Sequence, residues 1–443
     1  MKRSIILITT IIIVCTGFTQ AQNKQIWSLQ KCIQYAQENN LSIKQSALNA
    51  DYAKNQYNQK KYNLLPNLNG SSSYTVQMGQ VRNQTTYQIN NVTTSFSSFS
   101  ISSTTPLYQG LTLRNTIKKY NVDWQSAVKD VEKARNDLSL NIVALYLQIL
   151  FDKELLEAAR SQFEVVNLQV ERTTMLVKSG SVPEGRLLEI KAQASSEAMD
   201  VTSLENNLAL SILDLAQALD LESTEGFDIE TPVIEDVSEY FLSDPNQAYL
   251  YSVSTKPEIA SSELSLKSSE YDLKIARGSL WPQLSFSTGW ETSVARLKGD
   301  SDFNFSQSFK ENDNIYFGLN LSIPIFNRFS VRTDIKNAQI GISNAQYELD
   351  KQKQTLRKEI QQASADALAA LRKYQAGKSA VDSYQESFRY TENRFSVGLI
   401  NSVDYNVAKS ELIKAQSDFI QAKYAYILRT KILDFYMGKP IVL

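Results

Sequence analysis

The residues that could do chemistry in this 443-residue chain are few and poorly placed for it. Histidine is absent, which removes the usual base near neutrality, the commonest metal ligand and the centre of the familiar nucleophilic triads. No glycine-rich loop of the kind that cradles a phosphate is present. Carboxylates and amines, 47 against 46, are spread over helical stretches in the manner of solvation and i,i+4 pairing rather than acid–base work. No catalytic, cofactor-binding or metal-ligating set is expected, and an enzyme is not. The net charge of −1 gives no reason to expect a nucleic-acid or anionic-membrane partner. What the residue types can do is partition between water and lipid, and that depends on the elements that carry them.

The N-terminus reads as an export signal over residues 1–21. Lys2 and Arg3 precede an apolar run over residues 5–14, and Thr19, Gln20 and Ala21 supply a cleavage region before Gln22. The run is too short to span a bilayer, which takes about 20 apolar residues. Lipidation at Cys15 is disfavoured by bulky Ile12, Ile13 and Val14 in front of it. Once Cys15 leaves with the signal, Cys32 stands alone and an oxidising compartment gains no internal disulfide.

The mature chain repeats itself. Leu65, Pro66, Asn67 and Leu68 return as Trp281, Pro282, Gln283 and Leu284, with the prolines 216 positions apart. Pro106, Leu107 and Tyr108 return as Pro324, Ile325 and Phe326, and Gly180 returns as Gly398, both at an offset of 218. Spacing held through this much divergence implies two equivalent halves of one architecture. The expected division is a first repeat over 22–220, an acidic connector over 221–245 and a second repeat over 246–443.

Each half opens with a helical pattern, over 29–62 and 246–277, Ser28 being a plausible N-cap. Two strands follow. In the first half Leu68, Tyr74 and Val76, then Phe99, Ile101 and Leu107, alternate with Ser, Thr, Asn and Gln. In the second half Phe286 and Trp290, then Phe317, Leu319, Leu321 and Ile323, alternate with Ser, Asn, Tyr316 and Gly318. Segments of roughly ten residues, apolar on one face and polar on the other, read as barrel strands with lipid outside and water inside; a half-buried soluble sheet is the competing reading. Tyr108, Trp281 and Phe326 stand at strand ends, where interface aromatics sit; packing at a helix-to-strand corner competes. The loops over 79–91 and 295–314 are polar.

Behind each hairpin lie proline-free stretches over 111–177 and 331–395, each one helix of about 100 Å at 1.5 Å per residue. Return helices over 184–219 and 402–436 are half that length, so mixed pairing of long helices with stacked short ones is expected. The apolar run over 138–151 is too short for a transmembrane helix and reads as core of a helical wall, while the connector reads as solvated. Four strands cannot close a barrel, and an open sheet in lipid leaves backbone groups unpaired at several kcal/mol each. Several chains must contribute, and the helices would continue the wall as a tube.

The duplicated strand starts and strand ends, together with the segment Arg394–Phe395–Ser396–Val397–Gly398–Leu399–Ile400, are similar to the TolC family of outer-membrane efflux proteins over essentially the whole mature chain. That resemblance implies a membrane α/β fold: a homotrimer whose chains each give four strands to a transmembrane β-barrel and long coiled-coil α-helices to a periplasmic tunnel. It implies the outer membrane of a Gram-negative cell, outer-membrane lipid around the barrel, a periplasmic adaptor, and an inner-membrane efflux pump or secretion ATPase. The function implied is a passive exit duct, and the rival is a periplasmic coiled-coil scaffold without a pore. The tips around Gly180, Val182, Gly398, Leu399 and Ile400 would contact the adaptor. Asp404 would form a pore constriction, the competing reading being a carboxylate that offsets the helix dipole. Three residues on stands Val407 rather than a second acid, and the first-half equivalent of Asp404 is Arg186.

Overall fold

The computed structural model describes residues 25–82, 87, 89–232 and 244–443. The expected signal peptide with Cys15, part of the first polar loop and residues 233–243 of the connector lie outside the described residues. The elements run β1 (Gln25–Trp27), α1 (Leu29–Asn39), α2 (Leu41–Tyr62), β2 (Asn69–Arg82), β3 (Ile89–Gln109), α3 (Thr112–Lys178), α4 (Glu184–Ala218), β4 (Phe227–Ile229), α5 (Pro245–Thr255), α6 (Pro257–Gly278), β5 (Gln283–Leu297), α7 (Phe305–Glu311), β6 (Asn314–Ser322), α8 (Ser330–Ser396) and α9 (Ser402–Tyr436).

The main sheet is antiparallel in the order β2-β3-β5-β6, so β2 and β6 are its open edges. The strands of β2 and β3 pair from Asn69 with Ser102 to Arg82 with Ile89. The ladder therefore climbs well into the stretch expected to be loop. Its outer rungs, Gly79 with Val92, Gln80 with Asn91, Val81 with Asn90 and Arg82 with Ile89, mix apolar and polar partners, so the one-sided alternation is lost while the backbone pairing continues. At 21 residues, β3 is about twice the 9–11 residues that cross a bilayer.

The expected N-terminal helices are each broken once, at Asn40 and at Lys256, 216 positions apart. Pro257 explains the second break, since its ring excludes continuation of α5. Asn40 makes the first by capping α2, its side chain accepting from the Ser42 amide at 2.9 Å. Both breaks dock on the end of a return helix: Asn40 Nδ2 donates to the Ala218 carbonyl at 3.1 Å, and Lys256 Nζ to the Phe435 carbonyl at 3.1 Å.

Each long helix is covered in two stretches. Near the sheet, α3 packs on α2 and α6, through the stacked Tyr57–Trp124 pair and the Lys119–Asp272 ion pair at 2.7 Å; farther out it packs on α4, through Arg160 and Glu205. In the same order α8 meets α6 through Lys353–Glu263 and α9 through Tyr374 stacked on Phe419. The main core sits midway, where Ile142, Val143, Tyr146, Leu147, Ile149 and Leu150 of α3 meet Trp27, Leu29, Cys32, Leu215 and Ile427. The run over 138–151 is thus wall, and no described helix is long and apolar enough to cross a membrane. The connector is not simply solvated, however. Its β4 lies parallel to β1, Ile229 is buried, Asp228 pairs with Lys153 at 2.5 Å, and Tyr146 donates to the Glu230 carbonyl at 2.7 Å.

Candidate functional site

Directly opposed residues of an antiparallel pair share a face. The register sets Tyr74 opposite Ser97 and Val76 opposite Ser95, Ile101 opposite Trp290 and Phe99 opposite Thr292, and Phe286, Thr288 and Leu284 opposite Leu319, Phe317 and Leu321. Tyr74, Val76, Phe99, Ile101, Phe286, Trp290, Phe317, Leu319 and Leu321 therefore lie on one face. Ser71, Ser73, Ser98, Ser100, Asn320 and Gly318 lie on the other, where Ser71–Ser100 and Ser73–Ser98 hydroxyl pairs close at 2.7 Å.

Three of the expected strand residues sit elsewhere. Leu68 precedes β2 and Ile323 follows β6, and Leu107 falls in the register shift between Pro106 and Tyr108. The shift returns Tyr108 to the apolar face opposite Leu284. Phe99 and Trp290 are half-buried because α7 folds back over them: Phe309 meets the Phe99 ring at 5.5 Å and the Trp290 ring at 5.8 Å, and its carbonyl accepts from Thr292 Oγ1. The apolar face is capped at that end. Below it Phe317, Leu319 and Leu321 are more than half exposed, and Trp281, Phe326 and Tyr108 are exposed at the opposite end.

At the far end of the long helices the two hairpin turns share one geometry. Gly180 (φ +75°) and Gly398 (φ +79°) take the left-handed conformation that ends a helix with least strain. Ser181 then donates to the Leu176 carbonyl and Leu399 to the Arg394 carbonyl, both at 2.9 Å. Gly180, Gly398 and Leu399 are exposed, while Val182 and Ile400 are half-buried. Asn401 caps α9 by accepting from the Asp404 amide at 2.8 Å. Asp404 itself is exposed beside Val403 and Val407, on the side of α9 away from buried Tyr405 and Lys409.

The first turn of α4 does something different. Arg186 points inward, donating to the Phe395 carbonyl at 3.0 Å with its guanidinium 4.1 Å from the Phe395 ring centroid. Phe395 stacks on Tyr405 at 4.5 Å, and the Tyr405 hydroxyl accepts from Gln169 at 3.0 Å. One turn farther, Lys409 Nζ lies 2.8 Å from the Glu197 carboxylate with Lys409 almost wholly buried. Burial raises the Tyr405 phenol above its ordinary range, against the Gln169 hydrogen bond. Burial also lowers the Lys409 ammonium, with Glu197 opposing. Arg186, Phe395, Tyr405, Gln169, Lys409 and Glu197 clasp the α3–α4 hairpin to the α8–α9 hairpin. Sequence reasoning touched only Arg186, through the offset of 218, and Phe395, as part of the segment over 394–400. Among the described residues no acid or cysteine group is close enough to hold a metal ion.

The profile of the family described as "Outer membrane efflux protein" matches residues 32–220 and 252–439. "Outer membrane protein TolC" of Salmonella enteritidis is 24% identical, the match covering 96% of this chain and 84% of that one. "Probable efflux pump outer membrane protein TtgC" of Pseudomonas putida is 23% identical over 89% of this chain and 79% of its own. The crystal structure of the Campylobacter jejuni CmeC outer membrane channel superposes with a TM-score of 0.76 at 18% identity, over 93% of this chain and 85% of that one, and so shares the fold.

Proposed function

This chain belongs to the outer membrane efflux protein family, and from that premise we propose that three copies assemble into one duct across the outer membrane. The protein is an outer-membrane efflux channel subunit, with its sheet in the bilayer and its helices in the periplasm. The observation that supports assembly of several chains is the sheet itself, four strands with a one-sided apolar face and β2 and β6 as open edges; closure allows eight, twelve or sixteen strands, and three copies is the number the family resemblance implies. In hydrocarbon those edges cannot stay unpaired, and twelve strands from three chains form an even-numbered barrel. Four helix ends per chain then continue the wall for about 100 Å.

The turns at Gly180 and Gly398, with Val182, Leu399 and Ile400, would meet a periplasmic adaptor, and that adaptor an inner-membrane pump. The pump naming of the Pseudomonas relative supports this. Three exposed Asp404 side chains would ring the narrow end, where a carboxylate cluster holds divalent cations. Residues 1–21 would be removed on export, leaving repeats over 22–220 and 246–443 with residues 221–245 between. The duct is passive, since cargo is driven by the pump. Extraction of outer membranes should yield a heat-resistant oligomer that forms pores in planar bilayers. Asp404→Asn should relieve block by divalent cations; unchanged block would remove Asp404 from the aperture, and a water-soluble monomer would contradict the duct.

A further inference from the structure

The four helix segments that abut the sheet differ in charge from the rest of the chain. The last eight residues of α2 and α6 and the first eight of α3 and α8 hold nine Lys and Arg against two Asp, in a chain whose totals are 46 and 47. One of those two acids, Asp272, is paired with Lys119. The near-neutral total hides a basic collar.

The collar is kept in both halves. Arg114 recurs as Arg332 and Lys118 as Lys336 at the offset of 218, and Lys61 as Arg277 at 216. Arg114 and Lys118 are one turn apart on α3, Arg332 and Lys336 one turn apart on α8, and all four are exposed. An aromatic row separates them from the sheet: Tyr62, Trp281, Phe326 and Phe329 are more than half exposed, with the Arg332 guanidinium 5.5 Å from the Phe329 centroid and Lys61 Nζ 5.3 Å from that of Tyr57. Apolar strand, exposed aromatics and then cations follow one another down the wall. Membranes present the same order as hydrocarbon, interface and headgroup. The spacing agrees, because Arg114 and Lys118 stand about 3–9 Å along α3 from its start and one headgroup layer is about 5–8 Å thick.

We propose that this collar binds anionic phospholipid headgroups of the periplasmic leaflet of the outer membrane, an inference that rests on the membrane placement above. Each Lys or Arg held within a Debye length of an anionic surface adds to the attraction, and the two copies of the motif in every chain would fix the depth and tilt of the barrel.

The test uses the full mature oligomer in nanodiscs of phosphatidylethanolamine mixed with phosphatidylglycerol, reading the lipids retained after detergent transfer by native mass spectrometry. Retention of phosphatidylglycerol over phosphatidylethanolamine should be about tenfold and should fall as salt rises. In the variant Arg114→Gln, Lys118→Gln, Arg332→Gln, Lys336→Gln it should drop to near parity. The distal variant Lys351→Gln, Lys358→Gln, Arg372→Gln, Lys373→Gln, equal in charge change, should keep it. Absence of a preference in the wild type, or equal loss in both variants, would overturn the collar assignment. So would loss of binding to purified peptidoglycan in the collar variant without change in retained lipid. Pore formation recorded in phosphatidylethanolamine bilayers separates this failure from failure of the duct itself.

Discussion

Where β3 enters α3 and β6 enters α8, two halves of one molecule share a backbone and not its residues. Gly110 and Leu111 have φ of +59° and +65°; Arg328 and Phe329, 218 positions on, have +54° and +63°. Gly110 is glycine because a Cβ there would run into the Gly278 carbonyl and Trp281. In the second half Arg328 is exposed and its side chain has room, so an ordinary residue carries the left-handed strain. The far ends repeat the lesson. Gly180 and Gly398 keep one turn, yet Arg186 is drawn into the clasp on Phe395 while Asp404 is left in the open. Backbone geometry is shared between the halves, while at corresponding positions the side chains differ in what they touch.

That contrast can be broken from its strongest link downward. Glu197→Ala strands Lys409, buried and paired only across the two hairpins, and should destabilise the oligomer by about 3–5 kcal/mol. Its thermal transition in detergent reads this, and Glu197→Leu with Lys409→Met together should recover most of the loss. Gly110→Ala should cost about 2–4 kcal/mol, from collision plus left-handed strain, whereas Arg328→Gly should stabilise by about 1 kcal/mol; equal effects would end the distinction between the corners. Arg186→Ala removes a charged hydrogen bond and a stacked cation, a cost of about 2 kcal/mol. It should raise amide exchange across residues 395–405 and increase single-channel conductance.

The two helix-break docks, Asn40 on the Ala218 carbonyl and Lys256 on the Phe435 carbonyl, differ in kind, and pH separates them. Lys256 sits with its ammonium 3.1 Å from the Phe435 ring centroid, and burial lowers its pKa from 10.5 to about 8 despite Glu258 and Asp137. Between those values the unfolded chain binds the extra proton, so stability rises with pH from about 8 to 10.5, by about 1–2 kcal/mol after allowing for relaxation. Below 8 both states are protonated and the dependence ends. Lys256→Gln should abolish that rise in thermal transition, and Asn40→Ala should leave it intact. Smallest of all, Asp404→Asn should move stability by no more than about 0.5 kcal/mol while altering cation block.

Much of the frame was legible from sequence. Proline-free composition gave α3 and α8 to within a residue of Thr112–Lys178 and Ser330–Ser396, and the return helix Ser402–Tyr436 fell where it was expected. Alternation placed Tyr74, Ile101, Phe286 and Leu319 on one face, because successive strand side chains point to opposite faces. What escaped was held by something other than periodicity. The rungs from Gly79 to Arg82 pair without a one-sided apolar alternation to announce them. The seven-residue α7 announced itself only through Phe305 and Phe309 one turn apart. The connector docks through contacts distant in sequence: β4 pairs with β1, Ile229 is buried, Asp228 meets Lys153 and the Glu230 carbonyl accepts from Tyr146. Nor could composition say that Arg186 turns inward, since its partner is a backbone carbonyl.

The central claim, that separate chains seal one another's sheet edges, is tested most directly by amide hydrogen exchange on the oligomer in native outer-membrane vesicles. Outward-pointing amides of β2 and β6 should be as protected as those of β3 and β5. Rapid exchange along β2 and β6 beside slow exchange along β3 and β5 would mean a single open sheet, and no shared barrel.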